Sequence, residues 1–381
     1  MLEHIVIKGE YEEAFVYTKN IEEKATAQIK NFLDLHIAKG TNVRIMPDVH
    51  AGTGCVIGFT AKLTDSIIPN IVGVDIGCGM LAINLGKKDF SLDKLDKLIH
   101  RSIPAGMSVH SKPVMEYEPL MDIRCIEEIK ELKRIRCSIG SLGGGNHFIE
   151  VDVDTDGTKY LIIHSGSRNL GKQVADIYQR QAIESCVLSG KTKKKRVLKY
   201  PRDLCFLTGS QMDDYLHDMS ICQDYASLNR KMIGNIIVKG LLSTSGLKDF
   251  EYFETIHNYV NFEDNIIRKG SISANEGERV LIPMSMRDGS LICIGKGNPD
   301  WNNSAPHGAG RIMSRREAFA KINLDSYKKA MQGIFSTTVN KNTLDEAPFA
   351  YKSTKEIIDN IQDTVDVKSI IRPIYNFKAQ E

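Results

Sequence analysis

Val72-Gly73-Val74-Asp75-Ile76-Gly77-Cys78-Gly79-Met80 is the stretch on which the reading of this chain turns. It opens inside a short apolar run, Ile71 to Val74, then becomes polar and glycine-rich with little side-chain bulk. The glycines let the backbone fold tightly, so Asp75 and Cys78 are presented together on one turn. A carboxylate and a thiol at this spacing can grip one metal ion, and a thiolate can also bridge two. An isolated D-x-x-C reads better as a strand end with a buried cysteine. Histidines set among glycines and asparagines elsewhere in the chain change that balance.

Working outward, Met46-Pro47-Asp48-Val49-His50-Ala51-Gly52 places Asp48 and His50 on one side of an extended segment, before a glycine turn. By itself it fits an Asx-type turn with a surface histidine. Gly143-Gly144-Gly145-Asn146-His147-Phe148-Ile149-Glu150 puts three glycines, whose N–H groups can converge on an anion, before an alternating strand from Phe148 to Val153. The apolar strand Tyr160 to Ile163 ends in His164-Ser165-Gly166-Ser167-Arg168, with Arg168 at the start of a helix expected over 171–184. His257-Asn258 precedes Arg268-Lys269-Gly270, and Ile282-Pro283-Met284-Ser285-Met286 with Ser290 leads into a strand over 291–295. Pro306-His307-Gly308-Ala309-Gly310-Arg311 leaves an imidazole unshielded by its small neighbours, ahead of a helix expected over 312–321. Elsewhere the spacing predicts helices over 22–38, through much of 92–136 and over 211–237, and strands over 43–46 and 55–59. Lys191 to Arg196 is a basic run, either a solvated loop or a phosphate contact.

Length and composition bound the class. The chain has 381 residues, a formal net charge of +2 and 42% hydrophobic residues, enough for a substantial core and too balanced for a generally basic nucleic-acid coat. No apolar run reaches the roughly 20 residues of a membrane helix, and no signal peptide is visible at Met1-Leu2-Glu3-His4-Ile5. The eight cysteines contain no CxxC pair, so free thiols in a reducing cytoplasm are expected.

Taken together, the segments MPDVHAGTGCVIG, VGVDIGCGM, GGGNHF, HSGSRNLG, RKG, HGAGR, DEAPFAYK and the terminal Pro-Ile-Tyr-Asn-Phe-Lys resemble the RtcB family of RNA ligases, in family order from residue 46 to 378. The resemblance implies one domain over 1–381, a mixed α/β fold with central sheets flanked by helices and metals at strand-end loops. It implies GTP- and Mn²⁺-dependent joining of an RNA 3′-phosphate or 2′,3′-cyclic phosphate end to a 5′-hydroxyl end, in repair or tRNA splicing, by a cytoplasmic monomer with an activating partner protein as an option. Asp75, Cys78 and His147 would hold one Mn²⁺, and Cys78, His164 and His257 the second. His307 would take GMP covalently, with Asp48 near the reacting ends. The guanylate pocket would comprise Asn146, His147, Phe148, Ile149, Glu150, His257, Asn258, Pro283, Met284, Ser285, Met286, Ser290, His307, Gly308, Ala309, Gly310, Tyr351 and Lys378. Arg168 would contact RNA. The chain departs from the family pattern at Met284, where glycine commonly follows the proline.

Two rival readings use the same residues. A metal-dependent phosphodiesterase needs the metal ligands but no nucleophilic His307. A non-catalytic RNA-end sensor predicts damaged ligands, and every expected ligand is present. His307 together with Lys378 favours the ligase.

Overall fold

The computed structural model describes residues 4–188 and 197–379. Two sheets dominate it. The larger has seven antiparallel strands in the order Tyr252–Ile256, Gly79–Gly86, Lys159–Ser165, Phe148–Val153, Val365–Lys378, Gly289–Gly295 and Arg279–Ser285. The smaller has six, in the order Ile5–Lys8, Glu13–Val16, Val43–His50, Ile57–Lys62, Ile266–Lys269 and Asn258–Asn261. The 34-residue helix Gly209–Leu242 runs against Gly79–Gly86 and Lys159–Ser165. The mixed α/β class expected from the sequence is the class observed. No described helix is long and apolar enough to cross a membrane.

The strand registers do the positioning. Thr255 pairs with Met80, Met80 with His164, His164 with Phe148 and Phe148 with Lys378, so residues far apart in sequence form one row across five strands. Lys378 therefore belongs to a central strand, and the terminal segment is docked rather than frayed. Strand alternation places Phe148 and Glu150 on one face and Ile149 and Val151 on the other, in the core with Leu161, Tyr375 and Phe377.

Several expected elements differ in extent. The apolar run 71–74 is not a strand: Pro69–Val72 form one helical turn, which Pro69 starts with its fixed φ and Gly73 ends at φ +100°. The Asp75–Cys78 turn thus leads into a strand, Gly79–Gly86, instead of leaving one. The predicted 22–38 helix stops at Leu33 and continues as a 3₁₀ turn, His36–Ala38. Of 92–136, only Leu92–Ser102 and the short Leu132–Arg136 are α-helical, because Pro104, Pro113 and Pro119 interrupt the stretch between them. The strand from Val43 continues through Pro47 to His50, with its pairing irregular between Ile45 and His50. The helix after His307 begins at Arg315, behind a capping box of Ser314 and Glu317. The basic run Lys191 to Arg196 lies outside the described residues.

Two buried lysines fasten the segment between these strands. Lys269 donates to the carbonyls of Thr53, Cys55 and Asn70, and Lys352 to those of Asn20, Pro47 and Val49. Burial pushes the Lys269 ammonium down to about 8. Its folded value lies below the unfolded one, so the unfolded chain binds more protons between about pH 8 and the ordinary lysine range, and stability rises with pH across that window. Lys269→Met is expected to cost about 1–3 kcal/mol for each carbonyl it leaves unpaired and to abolish the rise. Urea unfolding across pH 7–10 measures both; an unchanged slope in the variant would refute the assignment.

Candidate functional site

The turn Gly73–Cys78 sits where the two sheets meet. Gly77 N donates to Asn258 O, and Gly77, at φ +73°, lies so close against the long helix that a Cβ would meet Gln223 and Ala226. Cys78 Sγ lies 3.4 Å from His147 Nε2 and 3.3 Å from His164 Nε2, and Asp75 Oδ2 lies 3.0 Å from His147 Nε2. Two groups emerge, Asp75–Cys78–His147 and Cys78–His164–His257, each with its ligand atoms within 4.8 Å of one another. Cys78 belongs to both.

The tautomers follow from the hydrogen bonds. His147 Nδ1 meets Leu142 O at 2.9 Å and His164 Nδ1 meets Asn146 O at 3.1 Å. A carbonyl only accepts, so each Nδ1 carries a proton and each ring turns its Nε2 toward Cys78. His147 Nε2 faces both the Asp75 carboxylate and the Cys78 sulfur, so one atom could join the two groups. His257 Nδ1 is buried and has no hydrogen-bond partner among the described residues. Burial, then the neighbouring imidazoles His147 and His257, holds His164 well below the ordinary histidine range; burial, then His307 and Arg230, does the same to His257. Imidazoles, a carboxylate and a cysteine sulfur, which would bind as thiolate, form a donor set that fits a divalent ion such as Mn²⁺, Co²⁺ or Zn²⁺.

The four rings His147, His164, His257 and His307 follow one another at centroid separations of 5.2, 5.2 and 4.8 Å. At the far end His307 Nδ1 donates to Asp48 Oδ2 at 2.6 Å. Asp48 is fully buried, and Lys352 grips the carbonyls on either side of it. Gly310, at φ +74°, lets the His307 turn press against the Asp48 backbone; a Cβ there would meet Asp48 O at 2.4 Å. The Asp48 contact is made at Nδ1, which leaves Nε2 as the other ring nitrogen of His307.

A cavity of about 300 Å³ joins the metal ligands to His307 and runs on to Lys378. Of the residues singled out in the sequence, Asp75, Cys78, Asn146, Phe148, Glu150, His164, His257, Asn258, Pro283 to Met286, His307 to Gly310, Tyr351 and Lys378 line it. Ile149 does not, for the alternation given above. Ser290 does not either: it is fully buried and its neighbour Gly289 takes the lining position. His147 reaches the metal group from behind the lining, and Asp48 is reached through His307. His50, which could have been a surface histidine, lines the cavity and donates from Nδ1 to Asp48 O.

Arg168 turns inward: Nε donates to Ser141 Oγ and Nη2 to Gly106 O. A Cβ on Gly143 would come within 1.9 Å of Arg168 Nη1 and 2.8 Å of His147 Nδ1. The Gly143 position therefore makes room for these side chains rather than for an anion. Arg311, Arg315, Glu346 and Asn376 also line the cavity, and sequence reasoning did not single them out. The signal available was position alone, since Arg311 and Glu346 lie inside the quoted segments HGAGR and DEAPFAYK and Asn376 two residues before Lys378.

The family model described as tRNA-splicing ligase RtcB matches residues 28–125 and 119–379. The RNA-splicing ligase RtcB of Escherichia coli (strain K12) is 31% identical over 407 aligned residues, covering 96% of this chain and 97% of that protein. The tRNA-splicing ligase RtcB of Methanococcus maripaludis is 28% identical, covering 91% and 89%, and that of Archaeoglobus fulgidus 27%, covering 83% and 82%. The fold and site thus go with a family of RNA ligases. The chain belongs to the RtcB family.

The two candidate ligand groups should be separable by mutation. A Cβ on Gly166 would meet Asp75 Oδ1 at 2.2 Å. Gly166→Ala is expected to push the carboxylate out of the Asp75–Cys78–His147 group while sparing Cys78–His164–His257. Titration of the metal-free protein with Mn²⁺ or Co²⁺ should then lose one binding event; a titration identical to the wild type would show that Asp75 is not a ligand.

Proposed function

We propose that this chain is a GTP-dependent RNA ligase that joins an RNA 3′-phosphate, or a 2′,3′-cyclic phosphate after its opening by water, to a 5′-hydroxyl, in RNA repair or tRNA splicing. The observation that carries the proposal is the Asp48–His307 pair facing the metal ligands across one cavity. Asp48 holds the proton on Nδ1, so His307 presents an Nε2 lone pair as nucleophile. In the proposed first step Nε2 bonds to the α-phosphorus of GTP and the bond to the β-phosphate oxygen breaks, releasing pyrophosphate. GMP then passes to the RNA 3′-phosphate oxygen, and the 5′-hydroxyl oxygen attacks that phosphorus, loses its proton and expels GMP.

Two Mn²⁺ are proposed, one on Asp75, Cys78 and His147 and one on Cys78, His164 and His257; bound there, they would neutralise phosphate charge and orient the reacting oxygens. Phe148, Asn258, Pro283 to Met286, Gly308 to Gly310 and Tyr351 would enclose the nucleotide. Glu150, hydrogen-bonded to Asn376 Nδ2, would accept from guanine's N–H edge and Lys378 would donate to its carbonyl oxygen. Arg168, behind Asp75, is proposed to act on RNA phosphate through its remaining donor edge. The chain is read as one domain and a cytoplasmic monomer, with an activating partner protein an open requirement.

Incubation with α-³²P-GTP and Mn²⁺ should give an acid-labile, alkali-stable protein adduct that His307→Ala lacks; equal labelling in that variant would remove His307 from the nucleophile role. Asp48→Asn, which loses the Nδ1 acceptor charge, should slow labelling by roughly 10²–10⁴-fold. Cys78→Ala should retain fewer than two Mn²⁺ per chain by mass spectrometry, and two retained ions would contradict the shared thiolate. Lys378→Ala should weaken GTP use by roughly 1.5–3 kcal/mol, the worth of one charged hydrogen bond; unchanged kinetics would make that lysine a bystander.

A further inference from the structure

Glu346 has no part in the steps above, yet it is almost wholly buried and lines the cavity. Its Oε2 accepts from Lys378 Nζ at 2.7 Å and from the Tyr351 hydroxyl at 2.6 Å. Its Oε1 faces Arg311 Nη1 at 3.4 Å and Arg315 Nη2 at 3.6 Å. Burial by itself would raise this carboxyl. The charges of Lys378 and Arg315 and the bonds from Lys378 and Tyr351 outweigh it and hold the group at about 2, so it is a carboxylate at neutral pH.

The count of donors on Lys378 makes this contact consequential. An ammonium carries three N–H groups. One goes to Asn146 O at 2.8 Å and a second to Glu346. The third meets no acceptor among the described residues, on a group that lines the cavity. We infer that Glu346 is a positioning residue for base selection: it clamps Lys378 so that a single fixed N–H faces the bound base, and it holds Tyr351 beside it.

The inference rests on the guanylyl-transfer reading. A fixed donor favours a base edge that presents a carbonyl oxygen and rejects one that presents an amino group, because two donors would then oppose each other without an acceptor. A lysine is a flexible four-carbon stem, and without the clamp it can swing aside and let water serve the amino group. The preference should then fall even though Lys378 itself is intact. A purely structural role in the Arg311–Arg315 network predicts something else, namely equal losses for every nucleotide.

The test uses the full-length wild type with Glu346→Gln and Glu346→Asp. Adduct formation is measured as kcat/KM with α-³²P-labelled GTP, ITP and ATP, and equilibrium binding of the three by calorimetry. Thermal melts and metal content monitor folding. Glu346→Gln is expected to lower the GTP:ATP and ITP:ATP ratios by roughly tenfold or more, with Glu346→Asp between it and the wild type. ITP separates the carbonyl contact from the 2-amino contact, because it keeps only the former. Ratios within twofold of the wild type, whatever the absolute rates, would overturn the assignment to Glu346. If Glu346→Gln does not fold, Glu346→Asp decides by the same criterion, since it keeps the charge and draws it back from Lys378. A wild type that neither binds nor is labelled by GTP would overturn the ligase reading and this inference with it, whereas a selective wild type with equally selective variants overturns this inference alone.

Discussion

Asn229 and Arg230, adjacent in the middle of the long helix, hold the loops of the site together. The Asn229 amide accepts from Gly140 N and Ser141 N, and donates to Ser141 O, Ser165 Oγ and Gly166 O. The Arg230 guanidinium donates from Nη1 to Gly77 O and Ser165 O, and from Nε to Glu254. Both side chains are fully buried. One turn of one helix therefore fixes the turn before Cys78, the strand end after His164 and the loop that receives the His147 Nδ1 proton. Buried polar groups of this size need partners, and these bonds supply them except at Arg230 Nη2, which has none among the described residues. The bonds that are made remove freedom from the loops and so fix where Asp75, Cys78, His147 and His164 sit.

Sheet register supplies the rest of the arrangement. The row Met80, His164, Phe148 and Lys378 exists because four antiparallel strands are in step, and a slip of one residue in any of them would turn its member to the opposite face. The metal end and the lysine end of the cavity are thus two ends of the same row. Glycines are required at the crowded points: a Cβ on Gly79 would meet Thr255 O at 2.3 Å, and one on Gly270 would meet the Ile57 side chain at 2.2 Å.

The candidate ligands were readable in the sequence because each sits in a short local signature. Asp75 and Cys78 share a turn, His147 follows three glycines, and His164 closes an apolar strand. Their convergence on Cys78 is long-range and came only through the family resemblance. The alternation of residues 148–153 was visible in the sequence, and it is what turns Ile149 away from the cavity that the contiguous segment 146–150 suggested. Helix length was misread over 92–136 because leucine spacing was weighed above the prolines. Glu346 and the Asn229–Arg230 pair were illegible for a physical reason. Their meaning depends on partners about 30 to more than 150 residues away, such as Lys378 and Gly77, and a buried arginine inside a helix looks like a surface one until its partners are known.

The way this site buries its cations bears on what it can bind. Lys269 and Lys352 are each held by three main-chain carbonyls, not by carboxylates. A carbonyl neither titrates nor neutralises, so these ammonium groups are anchored without their charge being cancelled by a direct partner. Each adjoins a residue of the cavity wall, Gly270 and Tyr351 respectively. Burial works against that charge, and it lowers both groups. A chain with a net charge of only +2 can in this way concentrate positive potential where polyanionic substrates would sit. Lys378 is the exception: its direct partner is the Glu346 carboxylate, and in the proposed pocket it would face the base rather than the phosphates. The division is consistent with chemistry, since a phosphate calls for field and a base edge calls for a donor in a fixed direction.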